Sequence, residues 1–438
     1  MTTQPSKPTS SADWVSRFPI YYGWVILGAG TLGVIMTSPG QTFIIQAFIE
    51  EFIGDLGLSR TLISTLYMIG TLANAALLQL VGVGRMIDRR GPRVMVLIVS
   101  ILFGLTCVFM GFINSAVMLC LGFIALRFLG QGSLNLISGT MINQWWVRRR
   151  GTMRGISGVV MSALALGVLP GLVKWLIHSL GWRTTYGILG AALILVMAPV
   201  GYFLFRRRPE DHGLLPDGGA PASPQQLGTT SEVNYTLSEA VRTPAFWTLS
   251  LGTATMSMLG TGLIFHMESI ITDQGLVPAI AAAVFVPIGL TQAVLRFPFG
   301  VLVDRICPRL IVAFGLVIQA VILWMAPRLG STTAAYVYGA TFGVMQVAWG
   351  TAGAVMWAKF YGREHLGSIT SVAMSIAIVG TALGPVVMAL ARDLTGSYGP
   401  LFNISAFFPL ALAVVNVMVR PPRPHDGQSP PAVIETAS

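Results

Sequence analysis

Three cationic side chains, Arg127, Lys174 and Arg296, fall inside apolar stretches long enough to cross a bilayer. A charge there costs several kcal/mol unless it faces a water-filled cavity or a partner. Arg296 is the most informative, because Gly289, Gln292 and Gly300 share its face at helical spacing. In that setting a guanidinium presents a planar fork of donors that fits a carboxylate. The alternative is a snorkelling arginine: eight residues separate it from Asp304, about 12 Å at 1.5 Å per residue. A second polar stripe, Arg127, Gln131, Asn135 and Ser138, recurs at i, i+4, i+8 and i+11 and must face protein or water. It is either a hydrogen-bonding hub between helices or part of a solute path. Asn135, Gln41 and Thr42 are expected cavity liners. His266, with Glu268 and Asp273 nearby, titrates in the right range to handle a proton, the alternative being a structural histidine at an interface.

Other chemistry is poorly served. Cys107, Cys120 and Cys307 have no metal-site or disulfide spacing. Neither HExxH nor GxSxG occurs. The chain is therefore expected to be no enzyme and to need no cofactor or metal.

The elements that position these residues follow from composition. Hydrophobic residues make up 54% of the chain and charged residues 10%, against roughly 25% charged in soluble domains, so lipid is the main solvent. A span needs ~20 apolar helical residues. Twelve segments qualify: 20–48, 61–83, 94–115, 117–146, 153–178, 184–205, 244–267, 279–302, 310–326, 333–358, 367–391 and 399–419. They predict an all-α membrane protein of two six-helix halves, 20–205 and 244–419. A polar 206–243 linker joins them, and tails 1–19 and 420–438 flank them. With the N-terminus inside, 20 of the 27 Lys and Arg fall on the cytoplasmic side, Arg154 counted among them. The positive-inside rule then puts both termini in the cytoplasm. That distribution explains the net charge of +10 without a nucleic-acid partner.

The halves carry a duplicated loop. GRMIDRRGPR at Gly84–Arg93 returns as GVLVDRICPR at Gly300–Arg309, so that Gly84 and Gly300, Asp88 and Asp304, Arg89 and Arg305, and Arg93 and Arg309 are each 216 residues apart (300 − 84). A doubled helical bundle is the pattern expected of a secondary transporter, with substrate held between the halves. Simple stop-transfer charge accounts for the arginines but not for the repeated Gly, Asp and Pro.

With this loop after helices 2 and 8, RFLGQG at 127–132, and Gly158, Gly167 and Pro170 in helix 5, the whole chain resembles the major facilitator superfamily. Tyr22-Gly23-Trp24, SPGQTF at 38–43, RRRPEDHGLLPDG at 206–218 and an arginine four residues before Gly300 make it similar to the monocarboxylate and oxalate:formate branch. The resemblance implies the major facilitator fold and alternating access. It implies a small organic anion, a monocarboxylate, with its carboxylate on Arg296 and with Gln292, Gln41, Thr42, Asn135 and Arg127 around it. A coupling proton or a counter-anion would accompany it. It also implies a gate at Gly84, Asp88, Arg89, Arg93, Gly300, Asp304 and Arg305, latched through neighbouring arginines and helix ends. The chain departs from the animal carriers in having Gln292 where they have an aspartate. It departs from the oxalate:formate antiporter in having no Lys or Arg in 367–391. The helix-5 Gly/Pro pattern also resembles the antiporter signature of multidrug exporters, so export of another organic solute is the alternative. A monomer in a plasma membrane, the bacterial inner membrane, is the expected setting.

Overall fold

The computed structural model describes residues 14–218 and 234–419. Residues 1–13, the 219–233 part of the linker and the 420–438 tail lie outside the described residues. Eleven described helices are long and apolar enough to cross a membrane: α1 Gly23–Gly40, α2 Leu62–Leu80, α3 Pro92–Met110, α4 Ala116–Trp145, α5 Arg150–Leu180, α6 Trp182–Leu204, α7 Pro244–Phe265, α8 Ala279–Arg305, α9 Pro308–Arg328, α11 Leu366–Arg392 and α12 Gly399–Met418. Between α9 and α11 runs α10, Thr332–Tyr361, 30 residues long. Its Gly, Thr, Tyr, Trp and Gln content holds its mean hydropathy down, because it faces the interior more than lipid. Helices are forced on all these segments, since hydrocarbon offers no partner for a free N–H or C=O. Leu105, Leu195, Phe407 and Val414 turn outward, the reverse of a water-soluble protein.

Two apolar cores form. One gathers residues from Val15 to Phe205, with Ile378 as its addition from the other half. The second runs from Tyr235 to Ala413. The halves meet where α5 packs on α8 and α2 on α11. Those crossings need glycine. A Cβ on Gly84 would stand 2.3 Å from the Gly367 carbonyl oxygen, and one on Gly300 would stand 2.4 Å from that of Gly151. Small residues let helix backbones touch in this way.

The 20–48 segment predicts one continuous first span, and the structure corrects this: the span is broken. Helical geometry ends at Gln41, which is extended (φ −95°, ψ 148°), and restarts as Thr42–Ile45. Wide π-type turns interrupt α4 at Arg127–Leu134, α5 at Ser162–Val168 and α6 at Leu193–Met197. Such turns re-aim the side chains that follow them. The duplicated loops are positioned by their own chemistry. After Gly82 (φ 69°) the short helix Val83–Arg90 carries the first motif, and Pro92 and Pro308 open α3 and α9, where a missing N–H costs nothing.

Candidate functional site

A cavity of about 490 Å³ lies between the halves. The N-terminal half contributes Gln41, Gln131, Asn135 and Asn143, and Arg154 and Ser157 from α5. The other half contributes Thr253 and Ser257 from α7, Arg296 from α8, Trp349 and Trp357 from α10, and Thr370 and Thr381 from α11. Among the described residues that line it, Arg154 and Arg296 are the charged ones; none is Asp, Glu or Lys.

Arg296 donates from Nη2 to Gln292 Oε1 at 2.9 Å, one turn back along α8. Its Nη1 lies over Gly158, 3.1 Å from where a Cβ would stand. Its Nε is buried without a hydrogen-bond partner. A guanidinium has five N–H donors, so most of this fork is unspent. Gln292 therefore orients the arginine as a neutral acceptor, where a carboxylate would have cancelled its charge.

The second polar stripe divides, and Gln292, expected beside the carboxylate, stands behind Arg296 outside the lining. Gln131 and Asn135 reach the cavity, whereas Arg127 and Thr42 are not part of its lining. Arg127 is 1% exposed. It donates from Nη1 to the carbonyl oxygen of Gly40 at 3.1 Å and lies over the Tyr67 ring, 4.9 Å from its centroid. The Tyr67 hydroxyl meets Thr42 Oγ1 at 2.6 Å. The break in the first span thus explains the arginine, which serves a carbonyl left over where helical geometry stops. The same break presents Gln41, whose Nε2 donates to Thr37 Oγ1 at 3.0 Å. Arg127 positions the liner without joining the lining.

The duplicated aspartates cap helices of the opposite half. Asp88 accepts from the Gly367 and Ser368 amides at 2.9 and 2.8 Å and from Ser368 Oγ at 2.6 Å. Asp304 accepts from the Gly151 and Thr152 amides at 2.6 and 2.8 Å and from Thr152 Oγ1 at 2.6 Å. The donors repeat at the same 216-residue offset as the acceptors. Carboxylates at helix N-termini gain from both the free N–H groups and the helix dipole. Burial pushes the Asp88 carboxyl above its ordinary value, while the Ser368 hydroxyl and the two amides pull it down. The expected arginine partners turn elsewhere: Arg89 and Arg305 are exposed, and Arg93 stacks over Tyr202, 4.1 Å from the ring centroid. Both aspartate carboxylates are taken by helix ends, while Arg207 and Lys359 hold the backbone carbonyls of Asp88 and Asp304 at 3.0 and 3.2 Å.

His266 sits away from the cavity. Its Nε2 faces the Pro385 carbonyl oxygen and its Nδ1 the Tyr398 hydroxyl, both at 3.0 Å. A carbonyl only accepts, so Nε2 donates to Pro385. The ring ties α7 to α11.

Two features escaped the sequence reading. Arg154, counted there with the loop charges of Arg148, Arg149 and Arg150, is one turn inside α5 and lines the cavity. The start of the polar linker is an ordered strap. Glu210 pairs with Arg363 at 2.5 Å, Arg363 Nη1 donates to the Gln144 carbonyl at 2.7 Å, and Asp217 accepts from the amides of Val147, Arg148 and Arg149 at 3.1, 2.8 and 3.1 Å. The acids of RRRPEDHGLLPDG were the available signal.

Comparison with known proteins agrees with this architecture. The chain is 27% identical over 338 residues to monocarboxylate transporter 11 of Mus musculus, covering 74% of this chain and 71% of that one. It is 26% identical over 425 residues to the same carrier of Homo sapiens, covering 92% and 82%. The solved structure of the proton:xylose symporter XylE superposes with a TM-score of 0.64 at 14% identity, covering 90% of this chain and 94% of that one, a likeness of fold alone. The pattern that defines the Major Facilitator Superfamily matches residues 30–352 and 288–437, and the chain belongs to that family of multi-pass membrane transporters.

Proposed function

We propose that this transporter carries a small organic anion of the monocarboxylate class by alternating access of residues 20–205 against 244–419, the carboxylate lying on Arg296. The observation that carries the reading is the unspent fork of Arg296 in a cavity whose described lining has no acid. A desolvated guanidinium without a counter-charge is costly, and a substrate carboxylate removes that cost through charge-assisted bonds. The carriers it resembles at 26–27% identity, named for monocarboxylates, support the same class. An amphipathic cation, the substrate expected of the alternative exporter, meets two like charges here.

The same electrostatics favour a counter-anion over a proton as the coupling species. Gln292 cannot titrate, and an empty cavity would have to close around unneutralised guanidiniums. The two latches would hold shut the face that bears the duplicated loops, which the charge distribution assigns to the cytoplasm along with both termini, as a monomer in the bacterial inner membrane. Uptake into proteoliposomes tests the proposal. A labelled short monocarboxylate should enter, faster when the vesicles are preloaded with unlabelled anion, and an amphipathic cation should not. Entry of the cation alone refutes the substrate class, and equal rates into loaded and empty vesicles refute exchange.

A further inference from the structure

We infer that the cavity holds a second anion subsite at Arg154, so that among small organic anions it holds most tightly those that add a second acidic group at the far end from the carboxylate on Arg296. The inference rests on the proposed role of Arg296 and extends it. Arg154 and Gly158 are one turn apart on α5, about 6 Å along the axis. The guanidinium of Arg296 lies over Gly158, and that of Arg154 lies against Gly139 of α4, its Nη2 2.5 Å from where a Cβ would stand. The two forks therefore flank the same stretch of α5, one reaching in from each half of the molecule. Glycine at both places keeps room for them.

Neither fork is neutralised. The Nε of each is buried without a hydrogen-bond partner, no ion pair joins either to an acid among the described residues, and the described cavity residues add no negative charge. One carboxylate would satisfy one guanidinium and leave the second desolvated and unpaired, the costly arrangement. Two acidic groups on one molecule satisfy both. The second then binds as an intramolecular event at high effective concentration. Asn135, Thr140 and Asn143, which with Gly139 come from α4, add neutral hydrogen-bonding groups to the lining. Two separate monoanions could match the charge, but each would have to be ordered on its own.

The test is calorimetric binding to the full chain in lipid nanodiscs at fixed ionic strength, using acetate and propionate against malonate, succinate and glutarate. The dianions should bind one per protein and about 30-fold more tightly than the monoanions, the fold-change expected when a second charge-assisted pair is added. Arg154→Gln should shrink that preference to about twofold, and Arg154→Lys should recover part of it. Arg296→Gln should weaken both classes. If the wild-type protein shows no preference for dianions, or binds two monoanions, the inference is overturned while the Arg296 reading stands. That comparison needs no variant to fold. A preference that survives intact in Arg154→Gln also overturns it. Anion binding indifferent to Arg296→Gln removes the Arg296 reading, and this inference with it.

Discussion

The two latches make a quantitative prediction, because they are chemically equal and structurally separate. Asp88→Asn and Asp304→Asn each leave the backbone in place but replace an anion that accepts three hydrogen bonds, none longer than 2.9 Å. A hydrogen bond to a charged group contributes ~1.5–3 kcal/mol and a neutral one ~0.5–1.5, so three bonds lose about 3 kcal/mol. Against this, the amide avoids burying a carboxylate, the cost that pushes Asp88's carboxyl upward. The net loss is then about 2 kcal/mol per latch, a roughly 30-fold shift toward the state with the loop face open. The motif around Asp88 is the more complete in sequence, yet both bond sets have the same three donors, so the two effects should match. The latches share no partner, so their free energies should add and the double variant should shift about 1000-fold. A cysteine at Thr370, in the cavity lining two residues past Ser368, would report the shift in a background with Cys107, Cys120 and Cys307 replaced by serine. Its reaction rate with a membrane-impermeant maleimide applied to the loop face measures the open fraction. Unchanged labelling in both single variants, or a double variant no faster than either, refutes the argument.

Three further outcomes follow from the same geometry. Arg296→Gln should weaken carboxylate binding by about 30-fold or more, the loss of roughly 2 kcal/mol or more from a desolvated charge pair; Arg296→Lys should recover little, since an ammonium lacks the fork, and near-native affinity in both would remove Arg296 from the site. Gly300→Val should open the loop face by the labelling assay and reduce transport, because its Cβ would stand 2.4 Å from the Gly151 carbonyl oxygen; labelling as slow as wild type would show that the crossing can give way. Arg127→Gln should lower stability by about 2 kcal/mol, the cost of losing a charged hydrogen bond at a buried carbonyl, seen as a drop in thermal midpoint in detergent; an unchanged midpoint would show that the break in the first span needs no such support.

Much of the molecule was legible because bilayer and repeat leave plain marks. Spans show as apolar runs, and the paired aspartate caps show as a motif copied at a fixed offset. The donors were equally visible in principle: Gly151-Thr152 and Gly367-Ser368 are small-hydroxyl pairs at that same offset, a signal that a search confined to acids and bases passes over. Arg154 was misplaced for a physical reason. Three arginines precede it, and a charge one turn into a helix looks, by sequence neighbourhood, like the loop it has just left. The role of Arg127 was hidden more deeply, since it depends on a carbonyl 87 residues away that becomes free only because helical geometry fails at Gln41. Long-range backbone accounting of that kind leaves no local pattern.

The offset of 216 residues also sorts motion from chemistry. The two helix-capping latches recur part for part, Gly84 with Gly300, Asp88 with Asp304, Gly151 with Gly367, Thr152 with Ser368, whereas the Arg363–Gln144 bond and the Glu210 strap occur once. Several cavity liners pair in the same way, Gln41 with Ser257 and Asn135 with Thr351, each polar in both halves. The arginines break the rule. The counterpart of Arg296 is Leu80, which is 82% exposed, and that of Arg154 is the neutral Thr370. A two-fold device suits a rocking motion, whose two crossings must separate together and re-form together. Holding a substrate needs no such repeat: a fork reaching in from each half, by an unrelated position, can close on opposite ends of one small anion. Adding a third cation by restoring the symmetry, as in Thr370→Arg, should then leave the lining with one guanidinium more than a dianion can neutralise. Dianion binding should weaken and the loop face should open more readily, through repulsion that the latches were not built to resist. Tighter dianion binding in Thr370→Arg would show instead that total positive charge governs affinity, with the placement of Arg154 and Arg296 incidental.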